Sequence, residues 1–266
     1  EEHPGTYEAA LRHAKLMEVM DEVGVQQPAI QPCDIDPELQ DLYMYKASLI
    51  GTKKPIHSVA NSGRNAEAII EMNAEMVGGI EKLMNKPRLM FNLCTFSPLG
   101  IRRDGCEVIR TAAKYNVPCI FSTGTMAGAT APVTLAGSIV QSFAEVLGHI
   151  VLAQCYRPGM RVGLLHASRI FDMKYVACTV ATPEYPVLKM AAMQMARFYK
   201  IPTVGIGISA DSNECDAQYG WEKFMNGFIS RQAGMNVING LGTFSQLSGY
   251  SFERTVIDAE IVRVIE

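Results

Sequence analysis

The stretch PCIFSTGTMAGATAPVTLAGSIVQSFAEVLGHIVLAQCY, residues 118–156, decides the fold. PCIFS (118–122) is an apolar run of strand length, closed by a loop of glycine, alanine and threonine. The APVT segment then predicts a long helix, with Thr130 as its N-cap and Pro132 in the first turn, where a proline removes no helical hydrogen bond. Leu135, Ile139, Val140, Phe143, Val146, Leu147, Ile150, Val151 and Leu152 make that helix apolar on nearly every face, the pattern of a buried helix. Its length approaches a membrane span, but Gln141, Glu145, His149 and Gln154 interrupt it and a strand follows at once, so it is read as a core helix. Strand, glycine-punctuated loop and helix form one βα unit. The loop ahead of the helix also leaves backbone N–H groups free to meet a ligand.

Working outward, the same unit recurs. Helices are expected over 5–22, 37–50, 65–85, 104–116, 183–199, about 213–233 and 251–265. Strands are expected over 25–31, 54–59, 88–93, 161–165, 202–207 and 235–239. Strand starts fall roughly every 30–40 residues, the spacing of βα units. Short apolar strands alternating with helices imply a parallel sheet covered by helices. A (β/α)8 TIM barrel and a doubly wound sheet both fit. Seven strands and eight helices, the first helix lacking a strand before it, favour one partial barrel domain over residues 1–266, in a chain cut inside its first unit. No GxGxxG follows a strand, so dinucleotide binding is unsupported.

The 266 residues are 48% hydrophobic with a net charge of −3, enough chain for a sizeable core. That balance gives no support for nucleic acid or a membrane surface as partner. The seven cysteines (33, 94, 106, 119, 155, 178 and 215) are odd in number, include no CxxC and sit partly in apolar runs, which fits a reducing, cytoplasmic setting. The apolar central helix and fifteen methionines leave room for a subunit interface, so a homo-oligomer is expected.

In a barrel the site is built from the loops that follow the strands. Three of these are long or polar. The loop after 88–93 holds Asn92, Thr95 and Ser97. The segment HASRIFDMKYVACTVATPE (166–184) holds His166, Arg169, Asp172, Lys174 and Glu184. ISADSNECDAQ (208–218) holds Asp211, Ser212, Glu214, Asp216 and Gln218. Each Asp and Ser competes with a capping or turn role. Cys33, Cys94, Cys215 and His166 fall near strand ends, but none has ligand spacing, so no metal is expected. No GxSxG elbow supports a serine triad.

TMAGATAPVTLAGSIVQSFAEVLGHIVLAQ (125–154) resembles the signature segment of the trimethylamine methyltransferase family, the corrinoid-dependent methylamine methyltransferases. The likeness continues through FNLCTFSPL (91–99), FDMKYVACTVATPE (171–184), DSNECDAQYGWEKF (211–224) and SFERTVIDAEI (251–261), in order along nearly the whole chain. The resemblance implies a TIM barrel that passes a methyl group from a methylated amine to the Co(I) of a corrinoid carried by a separate partner protein, with no cofactor bound directly. One branch of the family carries pyrrolysine and uses trimethylamine. The other lacks it and is associated with quaternary amines such as glycine betaine, proline betaine, carnitine or γ-butyrobetaine. No pyrrolysine occurs in these residues, which points to the second branch.

A quaternary ammonium already carries its charge and leaves as a neutral amine, so the protein's task is to align the methyl group and exclude water. Phe96, Phe121, Phe171, Phe244 and Tyr250 could face the cation. His166, Arg169, Asn92 and the N–H groups around Ala129–Ala131 could meet a carboxylate. The expected substrate-binding set is therefore Asn92, Phe96, Thr130, His166, Arg169, Asp172, Asp211, Ser212, Asp216 and Gln218. His166 departs from the small residues of the family in this loop. Rival readings are trimethylamine demethylation, a lyase or aldolase using Lys174 as a Schiff-base amine, and a non-catalytic scaffold that binds an amine or a corrinoid protein.

Overall fold

The computed structural model describes residues 3–266. Six strands form one sheet in the order β1-β2-β3-β5-β8-β9: β1 (Ile56–Ser58), β2 (Leu89–Cys94), β3 (Cys119–Ser122), β5 (Val162–His166), β8 (Thr203–Ile206) and β9 (Val237–Asn239). The pairs β1/β2, β5/β8 and β8/β9 are parallel, in the registers Ile56–Leu89, Leu164–Thr203 and Val204–Val237. These match six of the seven expected strands. The seventh, 25–31, shrinks to one bridge in which Gln26 pairs in parallel with Ile56. Pro28 carries no N–H to extend that ladder.

Contacts divide the chain into two compact units. The first comprises residues up to Leu93, Ile101–Ile120 and Ile150–Val162. It holds α1 (Tyr7–Val19), α2 (Gln40–Gly51), α3 (Gly63–Val77), α4 (Ile80–Asn85) and α5 (Arg103–Lys114). Ile56, Ile69, Ile70, Leu83, Leu89, Phe91, Ile109 and Cys119 form its core, all at most 1% exposed. Gly51 lets α1 and α2 approach: a Cβ there would lie 2.5 Å from that of Ala14. The single helix expected over 65–85 is broken at Gly78, whose φ of 85° ends α3 in the left-handed region that suits glycine.

The second unit comprises Cys94–Gly100, Phe121–His149 and Gly163–Glu266. Three segments of it run differently from the sequence expectation. The central helix, α6 (Leu135–Tyr156), starts five residues after Thr130. Thr130 instead accepts the Met126 N–H on its hydroxyl, while Thr134 Oγ1 accepts that of Gly137 at 3.3 Å. Only one face of α6 is buried, through Ser138, Ile139, Ser142, Phe143, Glu145, Val146, His149 and Ala153, whereas Val140 and Val151 are exposed. A three-stranded sheet, β4 (Met126–Ala127), β6 (Arg169–Asp172) and β7 (Ala177–Thr179), occupies segments expected to be loop. A small hairpin, β10 (Thr243–Phe244) with β11 (Gly249–Tyr250), follows β9. Helices α7 (Glu184–Phe198), α8 (Ala217–Gln232) and α9 (Phe252–Ile265) complete the unit.

Candidate active site

The chemistry-bearing side chains of the second unit collect on the segments that follow the strands. Arg169 opens β6 and is half-buried. Its Nη1 reaches Cys178 Sγ at 3.9 Å, and no carboxylate pairs with it among the described residues. Asp211 lies close enough to feel that guanidinium. Burial raises the Asp211 carboxyl above its usual range, Glu222 adds to the rise, and the Val180 and Ala181 N–H groups and Arg169 oppose it. Those two amides bind the Asp211 carboxylate at 2.9 and 3.1 Å.

His166 ends β5 and is 1% exposed. Its ring stacks on Tyr185 with centroids 6.3 Å apart, and neither ring nitrogen has a hydrogen-bond partner among the described residues. Burial first, and then the nearby Lys189 charge, push its pKa down to about 3, so the ring is neutral. Lys189 Nζ lies 4.4 Å from the Tyr185 ring centroid and donates to Asn226 Oδ1 at 3.0 Å. Burial also holds Lys189 well below the ordinary lysine range.

The loop after β8 is fastened from α8. Glu222 accepts the Asp211 and Ser212 N–H groups at 2.8 and 3.1 Å and the Gln218 amide at 2.8 Å. Asp216 is the N-cap of α8, taking the Tyr219 N–H at 2.9 Å. Ser212 Oγ donates within the loop to the Glu214 carbonyl and to Asp216. Asp172 folds the β6–β7 turn by accepting the N–H groups of Lys174 and Tyr175. Asp172, Ser212, Asp216 and Gln218 therefore have local structural partners, the competing role their residue types allow. Phe96 is 58% exposed, and Asn92 lies on a half-buried position of β2 in the first unit. The structure thus groups Arg169, Asp211, Tyr185 and His166, and sets Asp172 apart in its turn.

Two carboxylates escaped the sequence reading. Glu145, 4% exposed, accepts Thr95 Oγ1 at 2.7 Å, Ser97 Oγ at 2.8 Å, Leu99 N at 3.0 Å and Gln141 Nε2 at 3.0 Å. Asp258, fully buried, pairs with Lys223 at 2.8 Å and also accepts Tyr219 Oη and the Gly242 N–H. The only sequence signal for either was a carboxylate inside an apolar helix. Lys174 stands exposed at the hairpin tip, its Nζ 4.9 Å from the Tyr175 ring centroid, without the desolvation that activates a Schiff-base lysine. No three His, Cys, Asp or Glu side chains converge on a metal-sized site among the described residues, so the grouping of Cys33, Cys94, Cys215 and His166 is not assembled.

The parallel strands, each followed by a loop and most by a helix, define an α/β protein whose sheet is a parallel half-barrel. Two solved structures agree at the level of fold. Monomethylamine methyltransferase (MtmB) of Methanosarcina barkeri superposes with a TM-score of 0.65 at 11% identity, covering 98% of this chain and 57% of that one. A dihydropteroate synthase from Coxiella burnetii gives 0.60 at 13% identity, covering 97% and 84%. The family model described as trimethylamine methyltransferase (MTTB) matches residues 1–266, and the chain belongs to that family. It is 31% identical over 252 residues to trimethylamine methyltransferase MttB of Desulfitobacterium hafniense, covering 95% of this chain and 51% of the relative. It is 33% identical over 228 residues to MttB of Methanosarcina barkeri, covering 85% and 46%. It is 30% identical over 266 residues to a proline betaine:corrinoid methyltransferase of Eubacterium limosum, covering 96% and 54%. The chain spans about half the length of these curated relatives.

Proposed function

We propose that this chain belongs to a methyltransferase that moves a methyl group from a carboxylated quaternary amine of the glycine betaine type to a corrinoid carried by a separate partner protein. The observation that carries the reading is Arg169: a half-buried guanidinium with no carboxylate partner among the described residues, at the start of the strand that follows β5, in a chain of this family. A guanidinium presents a planar fork of donors that fits a carboxylate with two parallel hydrogen bonds. Arg169 would orient the substrate by that end, leaving its N-methyl groups toward the incoming corrinoid. The corrinoid, when the partner delivers it, supplies the nucleophile. The ammonium nitrogen needs no proton, because it leaves as a neutral amine, so no side chain is required as an acid. Neutral His166 matches that requirement, since at pH 7 its ring carries no charge to repel the cation. The relative named for proline betaine supports the substrate class.

Trimethylamine is the second reading, favoured by the relatives named for it. The test uses the full-length protein, its corrinoid partner reduced to Co(I), and a panel of glycine betaine, proline betaine, carnitine and trimethylamine. The visible spectrum of the corrinoid and the demethylated amine are read together. Transfer from a betaine and none from trimethylamine is expected. Transfer from trimethylamine alone selects the second reading. Failure with every amine, while the same corrinoid protein accepts methyl groups from another methyltransferase, removes both.

A further inference from the structure

Glu145 sits in the middle of α6 with both carboxylate oxygens occupied, and every donor is neutral: two hydroxyls, one backbone amide and one side-chain amide. No Lys, Arg or His side chain forms an ion pair with it among the described residues. Burial alone would raise its pKa. The hydrogen bonds from Thr95, Leu99, Ser97 and Gln141 outweigh burial and hold the carboxyl below the usual range, so the group is ionised at neutral pH. The second unit therefore keeps a buried negative charge that no cation of its own neutralises, an arrangement proteins otherwise avoid.

The position of that charge matters. Thr95, Ser97 and Leu99 lie on the loop after β2, and Thr95 Oγ1 also accepts the Gly124 N–H at 3.3 Å from the loop after β3. Gln141 Nε2 donates both to Glu145 and, at 2.8 Å, to the Thr130 carbonyl of the same loop. Glu145 thus stands behind two of the segments on which a TIM-type fold builds its site. At 4% exposure and with its oxygens occupied, it acts on a ligand through its field and not by touching it.

We infer that Glu145 is a specificity-determining residue whose uncompensated charge makes the site prefer a permanently cationic ligand over a neutral one of the same shape. Long-range attraction of this kind survives in a water-poor site, where the effective dielectric is far below that of water. The inference rests on the proposed amine-binding function and adds to it the residue that reads the positive charge, complementary to Arg169 at the carboxylate end.

The test measures equilibrium binding of two ligands to the full-length protein by calorimetry. One is glycine betaine. The other is 3,3-dimethylbutanoate, in which carbon replaces the quaternary nitrogen. Wild type should bind the betaine more tightly. Glu145→Gln keeps the shape, lets the Thr95 and Ser97 hydroxyls turn from donors to acceptors, and removes the charge. It should weaken betaine binding by about tenfold while leaving 3,3-dimethylbutanoate within twofold. Gln141→Lys places a cation one turn before Glu145 and should reproduce the same selective loss in a chain that retains the carboxylate. Equal weakening of both ligands would mean that Glu145 only holds loops in place and would overturn the inference while leaving methyl transfer standing. A wild type that binds neither the betaine nor any other quaternary amine would overturn both.

Discussion

Asp258 and Glu145 are two buried carboxylates of the second unit held in opposite ways. Asp258 faces Lys223, and the pair is closed on itself: Lys223 Nζ also donates to the Ile208 and Gly240 carbonyls at 3.1 Å each, tying the segments after β8 and β9 together. Burial raises the Asp258 carboxyl against the pull of Lys223, and lowers Lys223 to about 8 against the pull of Asp258. Glu145 has four neutral donors and no counter-charge among the described residues, and its carboxyl is lowered instead. A charge neutralised by its neighbour serves as a structural lock, with little field beyond the pair. A charge solvated by dipoles keeps its field, and that field is available to a ligand.

Removing the counter-charge from the lock should have the largest effect. Lys223→Met leaves Asp258 buried without its cation and should cost about 3–5 kcal/mol of stability, read by denaturant unfolding. Acid should come next. His13, His57 and His166 are buried, and burial lowers their pKa values to about 4, 4 and 3 from 6.5. Between about pH 4 and 6.5 the unfolded chain binds more protons than the folded one. Stability is therefore full above pH 6.5 and falls as pH drops through that window, by roughly 3 kcal/mol for His57 alone. His57→Phe should flatten that limb of a melting-temperature profile, and an unchanged limb would contradict the assignment. Glu145→Gln should cost only about 1 kcal/mol, because its donors keep an acceptor or turn to accept. A loss as large as that of Lys223→Met would erase the distinction between the two carboxylates. Asp216→Ala, which removes the exposed N-cap of α8, should cost about 1 kcal/mol of stability, read by denaturant unfolding.

The main strands were legible because each is an apolar run bounded by turn residues, and a buried parallel strand needs no further signal. β4, β6 and β7 were not, being two to four residues long, half-buried apart from Ala127, and free of the alternation that marks a strand. Thr130 carried a capping residue type, but the chain makes an Ala127–Ala131 bridge first and postpones the helix to Leu135. The polar loop residues were found by position, while their roles were not: Asp211 leaves the α8 cap to Asp216 and binds amides thirty residues earlier. Glu145 read as an interruption of an apolar helix, since three of its four partners lie 46 to 50 residues away in sequence. Sequence periodicity records which face a residue is on and carries no record of such distant donors.

The central claim, that Glu145 is ionised without a cation of its own, is tested most directly by infrared difference spectroscopy of wild type minus Glu145→Gln with isotope-labelled glutamate. The account predicts a carboxylate band at neutral pH that persists below the usual glutamate pKa and shifts when glycine betaine is added but not when 3,3-dimethylbutanoate is. A protonated carboxyl band at neutral pH, or the same shift with both ligands, would contradict it.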